Sequence, residues 1–279
     1  MREPIKVRRV DLVRVDDPTY LEEMSNQAAA HRRLCPRQDP GDLYRASALV
    51  ETAVRAWLSV RLPLLEERVI DADLLPPGER GYVRRFQELD AVVGRDGVPE
   101  CIVEMKFSAS GGAVRRGLGQ LGRARGLLRH RWIGVAGLLV LVEANRTGVE
   151  LDLERLRDVD IVGPDALDRP EGLTTMTLVV LSTSDIRDHL DVDARELIER
   201  GHDEGDALTA ARVARAAVAA EMDEPTSEPT FLAARAIEPP PSAIFVGGDA
   251  DEQDASPFAA LAGLRLDAPD GSEDPESDA

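Results

Sequence analysis

Lysine is almost absent from this sequence: of its 34 basic residues, only Lys6 and Lys106 are lysine. Aromatic residues make up 4% of the chain, so a hydrophobic core must be built mainly from valine, leucine, isoleucine and alanine. The two cysteines, Cys35 and Cys101, are too few and too far apart for a disulfide framework or a cysteine metal site. The four histidines show no metal-ligand spacing such as His-Glu-x-x-His. The sequence therefore argues against a disulfide-stapled protein and against a metalloenzyme whose metal is held by cysteine or by a His-Glu-x-x-His motif.

Long apolar runs are also absent. The longest, 132–142, is well short of the roughly 20 residues that a membrane-spanning helix needs. The segment 1–12 is charged and lacks the apolar stretch of a signal peptide. We therefore expect a soluble, cytoplasmic protein that has no membrane partner.

The net charge of -18 is unevenly distributed along the chain. Residues 221–279 contain 15 acidic and 2 basic residues, which leaves 37 acidic and 32 basic residues in 1–220. The segment 221–279 is rich in proline, aspartate, glutamate, alanine and serine, a composition that predicts a disordered acidic tail. Two short apolar islands, 243–246 and 258–266, are either motifs for a protein partner or incidental residues in a flexible tail.

The rest of the chain has the pattern of a mixed α/β protein. We predict an N-terminal strand and helix extension over 1–41 and a single domain over 42–220, whose last helices close the fold. Strands are predicted at 5–15, 68–73, 81–93, 100–108, 133–143 and 174–182, from apolar alternation or continuous apolar runs. Helices are predicted at 18–34, 42–62, 112–131, 151–159, 193–200 and 206–222. This order favours a mixed central sheet flanked by helices.

Three charged residues fall on two neighbouring predicted strands. Side chains alternate between the faces of a strand, so Glu104 and Lys106 share one face. A three-residue hairpin loop, 95–97, would place Asp90 opposite Ile102 and diagonal to Glu104. Such diagonal residues lie roughly 7–8 Å apart, which lets both carboxylates reach one cation.

Lys106 also stands out against the arginine bias of the chain. Lysine carries a compact ammonium group whose pKa responds to burial, whereas the arginine guanidinium stays charged. A lysine two residues from a strand carboxylate is suited to orienting or activating a metal-bound water. The alternative interpretation is that Lys106 is a chance exception to the bias.

Together these residues resemble the PD-(D/E)xK nuclease superfamily, which has the restriction-endonuclease-like fold. Its pattern is an acidic residue on one strand followed by Glu-x-Lys on the next, and here these are Asp90 and Glu104-Met105-Lys106. The resemblance covers residues 42–143, with the predicted strand at 174–182 as an extension of the sheet.

Two further residues fit positions that superfamily members often use. Glu51 lies on the preceding predicted helix, and Gln120 lies on the following one, as in the Gln-x-x-x-Tyr variant. The sequence departs from the pattern at Leu89, where the superfamily's name has proline, and at Ala124, where the variant has tyrosine. The glutamine is therefore the only part of that variant present.

The resemblance implies a metal-dependent nuclease. Mg²⁺, with Mn²⁺ as a substitute, would be bound by Asp90, Glu104 and the backbone carbonyl of Met105, because Mg²⁺ takes oxygen ligands and few carboxylates. Lys106 would position the attacking water or neutralise developing charge. Glu51 would bind a second metal or a water, although an ordinary helix charge explains it equally well.

The helix after the Glu-x-Lys strand suggests a nucleic-acid partner. We expect Arg115, Arg116 and Arg123 to bind DNA, and Arg116, Gln120 and Arg123 share one helix face by their spacing. A solvated basic helix is the alternative. The resemblance implies an endonuclease or exonuclease in defence, restriction or repair, either alone or as a homodimer. The alternative function is a non-catalytic interaction protein of the same fold that acts through its acidic tail.

Overall fold

The structure is a computed structural model that describes residues 5–34, 41–168 and 175–222. The predicted disordered tail lies outside the described residues, apart from its first two positions. In the described part of the chain, no helix is both long enough and apolar enough to cross a membrane.

The described residues form eight strands and four α-helices. The strands are β1 (Lys6–Arg14), β2 (Glu67–Leu75), β3 (Val83–Glu88), β4 (Ala91–Arg95), β5 (Val98–Ser108), β6 (Ala136–Glu143), β7 (Asp160–Val162) and β8 (Met176–Leu181). The helices are α1 (Pro18–Leu34), α2 (Gly41–Ser59), α3 (Gly111–Leu128) and α4 (Val192–Met222).

These elements form two sheets. Strands β1, β2 and β3 form a three-stranded antiparallel sheet. The second sheet has five strands in the order β4-β5-β6-β8-β7, in which β4 is antiparallel to β5 and all other neighbours are parallel. The prediction of an α/β protein with a mixed sheet flanked by helices is confirmed, whereas the separate antiparallel sheet of β1, β2 and β3 was not predicted.

Alternation along β5 divides the core into two layers. Val103, Met105 and Phe107 point to the layer that α2 and α4 cover. Ile102 points to the opposite layer, where α3 and residues of β2 pack. Because Glu104 and Lys106 alternate with the first set, they lie on the Ile102 face.

Four predicted elements were wrong. The predicted strand 81–93 is two strands, β3 and β4, which belong to different sheets. The predicted helix 151–159 is a short 3-10 helix, Leu153–Leu156, followed by β7. The two predicted closing helices are the single helix α4.

Two glycines in the interval between the predicted helices, Gly201 and Gly205, are packing positions within α4. A Cβ at Gly201 would lie 3.2 Å from the Cβ of Ala46 in α2. A Cβ at Gly205 would collide with the backbone carbonyl oxygen of Ala144, just after β6. The absence of side chains at these two positions lets α4 approach α2 and the end of β6 closely, and this tertiary packing outweighs the low helix propensity of glycine.

The hairpin between β4 and β5 turns more tightly than predicted. Asp96 and Gly97 both have positive φ, 54° and 74°, and Arg95 pairs with Val98, as in a two-residue turn. An irregularity in the pairing follows between Val93 and Gly94. The predicted three-residue loop, 95–97, is therefore wrong, and the turn and the irregularity together fix the register of the candidate site.

Candidate active site

Asp90 lies in the two-residue link where the chain leaves the three-stranded sheet and enters the five-stranded sheet. Arg68 fixes Leu89 in this link: the Leu89 N–H donates to the Arg68 carbonyl at 2.8 Å, and Arg68 Nη1 donates to the Leu89 carbonyl at 2.9 Å. Arg55 of α2 donates from Nε to the Asp90 carbonyl at 2.8 Å. The position of Asp90 is thus set by two arginines rather than by a continuous strand.

The register brings Asp90 beside Glu104. Ala91 pairs with Val103, so the next residues outward are Asp90 and Glu104. The predicted partner of Asp90, Ile102, is displaced by two residues. Asp90 is therefore next to Glu104 rather than in the predicted diagonal position. Asp90 itself precedes β4, and its carboxylate contacts the backbone N–H of Met105 in β5.

Backbone and side-chain hydrogen bonds hold the three charged residues in place. Asp90 Oδ2 accepts a hydrogen bond from the backbone N–H of Met105 at 2.5 Å. Lys106 Nζ donates to Glu104 Oε1 at 2.7 Å. Glu104 is only 7% exposed, while Asp90 and Lys106 are partly buried. The site is a shielded cluster of two carboxylates and one ammonium group.

Burial and mutual repulsion make the carboxylates hard to ionise. Burial, followed by the charge of Asp90, raises the pKa of Glu104 to about 7, against the opposing attraction of Lys106. Burial also raises the pKa of Asp90, although the Met105 N–H favours its charged form. A cation beside both groups would relieve this cost.

Lys106 is a stable cation in this setting. Burial alone would lower the pKa of its ammonium group, but the charges of Glu104, Asp90 and Glu51 outweigh burial and raise it. Lys106 therefore retains its proton on Nζ, which favours a role as hydrogen-bond donor and positive charge.

Glu51 reaches the edge of this cluster from α2. Ser47 Oγ donates to Glu51 Oε1 at 3.3 Å. Burial and then the charge of Asp90 raise the pKa of Glu51, and the charge of Lys106 lowers it, so Glu51 lies within electrostatic range of both residues. Glu51 thus joins the site electrostatically.

The donor set fits a metal held by few protein ligands. Among the described residues, no group of three or more histidine, cysteine, aspartate or glutamate side chains is arranged to hold a metal ion. Glu51 does not complete such a group with Asp90 and Glu104. Mg²⁺ commonly takes one or two carboxylates and keeps several waters, so the Asp90 and Glu104 pair suits it.

Two of the predicted DNA-binding residues of α3, Arg115 and Arg123, line different pockets. Arg115 lines a groove of about 1190 Å³ between the start of α3, residues 150–156 and α4. Arg123 lines a separate pocket toward the end of α3. Between them, Gln120 Oε1 is buried and accepts no hydrogen bond from the described residues. The predicted roles of Gln120 and Arg116 stay predictions.

Sequence reasoning missed Arg55 and the network behind Asp90. Arg68 contacts Glu88, whose Oε2 accepts a hydrogen bond from the Tyr20 hydroxyl at 2.5 Å. Burial and this carboxylate raise the pKa of Tyr20. The spacing of Arg55 four residues after Glu51 was the available signal, because residues four apart share a helix face.

Comparison with family models, with curated proteins and with solved structures finds no match to this chain. The functional argument therefore depends on the residues of the chain itself.

Proposed function

We propose that this protein is a metal-dependent nuclease that hydrolyses phosphodiester bonds, with DNA as the expected substrate. The observation that carries the proposal is the cluster of Asp90, Glu104 and Lys106: Asp90 Oδ2 accepts from the Met105 N–H beside Glu104, and Lys106 Nζ lies 2.7 Å from Glu104 Oε1. The order of elements around these residues is helix α2, the four strands β2 to β5, helix α3 and strand β6, and it supports the restriction-endonuclease-like assignment.

In this proposal Asp90 and Glu104 hold Mg²⁺, or Mn²⁺ in its place. A bound divalent ion would supply a more acidic water and charge stabilisation at the phosphate. The Met105 N–H donates to Asp90 Oδ2 and fixes its orientation. The Met105 backbone carbonyl is the further metal ligand that we propose. Water solvates two adjacent, shielded carboxylates poorly, so these residues are preorganised to bind a cation that compensates their charge.

Lys106 supplies the fixed positive charge of the site. Its protonated Nζ donates to Glu104 and is available to donate to a water or a phosphate oxygen beside the two carboxylates. Glu51 adds a negative charge at the edge of the site and can accept a proton or orient a water. We propose that Gln120, Arg116 and Arg115 serve the substrate rather than the metal.

Cleavage assays test the proposal directly. Supercoiled plasmid, single-stranded DNA and an RNA of the same sequence are incubated with the protein in Mg²⁺ or EDTA. We expect Mg²⁺-dependent cleavage by the wild type and its loss in Asp90→Ala and Lys106→Ala, while the exposed-loop variant Glu79→Ala cleaves as the wild type does.

Equal product in all four proteins would refute the proposal, because cleavage would then come from a contaminant. Absence of cleavage in every protein and on every substrate would favour the non-catalytic interaction protein. The acidic tail, 221–279, with its excess of 13 negative charges, then becomes the feature to test for protein binding.

A further inference from the structure

A pocket lined by arginines lies near the C-terminal end of α3, away from the candidate active site. Its volume is about 380 Å³, and its lining contains three arginines, one tryptophan, one valine and four glycines, with no carboxylate. Helix α3 starts at Gly111, shortly after β5 presents Lys106. At 1.5 Å per residue, Arg125 lies about 20 Å along the helix from that start. The pocket is therefore distinct from the candidate active site.

Two of the pocket's arginines, Arg123 and Arg125, differ from arginines elsewhere in the fold. In the described residues no ion pair joins Arg123 or Arg125 to a carboxylate, whereas Arg9 and Arg84 both pair with the buried Asp71. Arg125 is partly buried, and its Nε donates to the Val135 carbonyl at 2.7 Å. Burial lowers the pKa of its guanidinium.

A partly buried cation with no anion beside it is unfavourable unless an anion is supplied from outside the chain. Guanidinium groups suit phosphate oxygens, which accept two parallel N–H hydrogen bonds from one arginine. The pocket therefore has the charge and the donors that a phosphate group needs.

Gly122 leaves open space on the surface of α3 inside the pocket. A Cβ at Gly122 would meet no atom within 4 Å, so the helix surface there faces free space. Trp132 forms a partly buried apolar wall beside this space. A phosphate carried on an extended chain can approach the helix backbone closely at this position.

We propose that this pocket binds a backbone phosphate of the nucleic-acid substrate, outside the cleavage site, and anchors the strand along α3. The inference rests on the proposed function for the identity of the ligand, because a phosphate ester is the shared chemistry of a nucleic acid and a free mononucleotide. The distance along α3 favours the nucleic acid, since an extended strand bound at the active site can reach both positions.

Binding without catalysis tests this inference separately from the nuclease. The full chain carrying Lys106→Ala is titrated in EDTA against fluorescent single-stranded and duplex DNA at several salt concentrations. Two pocket variants, Gly122→Glu and Gly122→Gln, add side chains of matched size that differ in charge. Arg123→Gln removes one guanidinium, and Arg80→Gln removes an exposed one in the loop between β2 and β3.

We expect Gly122→Glu and Arg123→Gln to weaken DNA binding about tenfold or more, as the loss of a charge-assisted contact implies. Gly122→Gln should weaken it less than Gly122→Glu, Arg80→Gln should leave it unchanged, and Arg123→Gln should reduce the salt dependence of binding. Thermal melts confirm that each variant is folded.

Equal DNA affinity in Gly122→Glu and Gly122→Gln would overturn the proposal. So would tight binding of adenosine monophosphate that Arg123→Gln abolishes while DNA binding is unchanged, because the pocket would then serve a free nucleotide. Loss of DNA binding in the pocket variants supports the pocket even if the wild type cleaves nothing, so the two proposals fail independently.

Discussion

Replacing Glu104 by glutamine should stabilise the metal-free protein at neutral and alkaline pH while destroying its metal site. Burial and Asp90 raise the pKa of Glu104 from 4.5 to about 7. One pKa unit corresponds to about 1.4 kcal/mol. Ionising Glu104 therefore costs roughly 3 kcal/mol more in the folded protein than in the unfolded chain. Glutamine keeps the shape of the side chain and an oxygen for Lys106 but has no charge to bury.

The sign of the pH dependence follows from the raised pKa. Between pH 4.5 and about 7, folded Glu104 holds a proton that the unfolded chain has released. The contribution of this carboxyl to stability is therefore fully present below pH 4.5 and is lost as the pH rises through about 7. Glu104→Gln lacks this loss, so its advantage over the wild type should grow by roughly 3 kcal/mol from acid to alkaline pH.

Urea unfolding in EDTA, at about pH 5 and about pH 8, measures this difference from the free energies of unfolding. The exposed variant Glu79→Gln serves as control and should track the wild type at both values. Added Mg²⁺ should then stabilise the wild type but not Glu104→Gln, since a ligand stabilises only the protein that binds it. A difference between Glu104→Gln and the wild type that does not change with pH would refute the reasoning.

Two further substitutions test how the site and the fold are held. Arg55→Ala should lower the rate of DNA cleavage with little change in DNA affinity, because Arg55 positions the Asp90 backbone. Arg55→Lys should recover part of the cleavage rate. Equal rates in the wild type and both variants would contradict this role. Gly205→Ala should lower the free energy of unfolding by about 1–3 kcal/mol through overpacking against Ala144. Gly122→Ala, which meets no atom, should not lower it, and equal losses in urea unfolding would contradict the packing argument.

The layer order of the fold could be predicted from the sequence because apolar periodicity reports which faces are buried. The continuous apolar run of β6 and the alternation in β5 were sufficient for a mixed sheet with helices on both sides. The split between β3 and β4 could not be predicted, because the sequence 81–93 is a good strand throughout. The contacts of Arg55 and Arg68 with the carbonyls of Asp90 and Leu89 mark the point where the chain passes from one sheet to the other.

For the candidate site, the sequence predicted which residues come together but not the register of the hairpin. Alternation alone places Glu104 and Lys106 on one face of β5. The observed register places Asp90 next to Glu104, two residues from its predicted partner Ile102. The detailed neighbours depended on the turn at Asp96 and Gly97, where two positive φ values shorten the loop by one residue. Long-range positions such as that of Gln120 depend on helix packing, which a single sequence does not specify.

The most direct test of the central claim is the rate of Mg²⁺-dependent DNA cleavage by Glu104→Gln compared with the wild type. Because Glu104→Gln is expected to fold at least as well as the wild type, loss of activity cannot be attributed to unfolding. A metal centre that contributes several kcal/mol to transition-state stabilisation predicts a fall in rate of about 100-fold or more. Cleavage by Glu104→Gln within about threefold of the wild type, a difference of less than 1 kcal/mol in the barrier, would contradict the account.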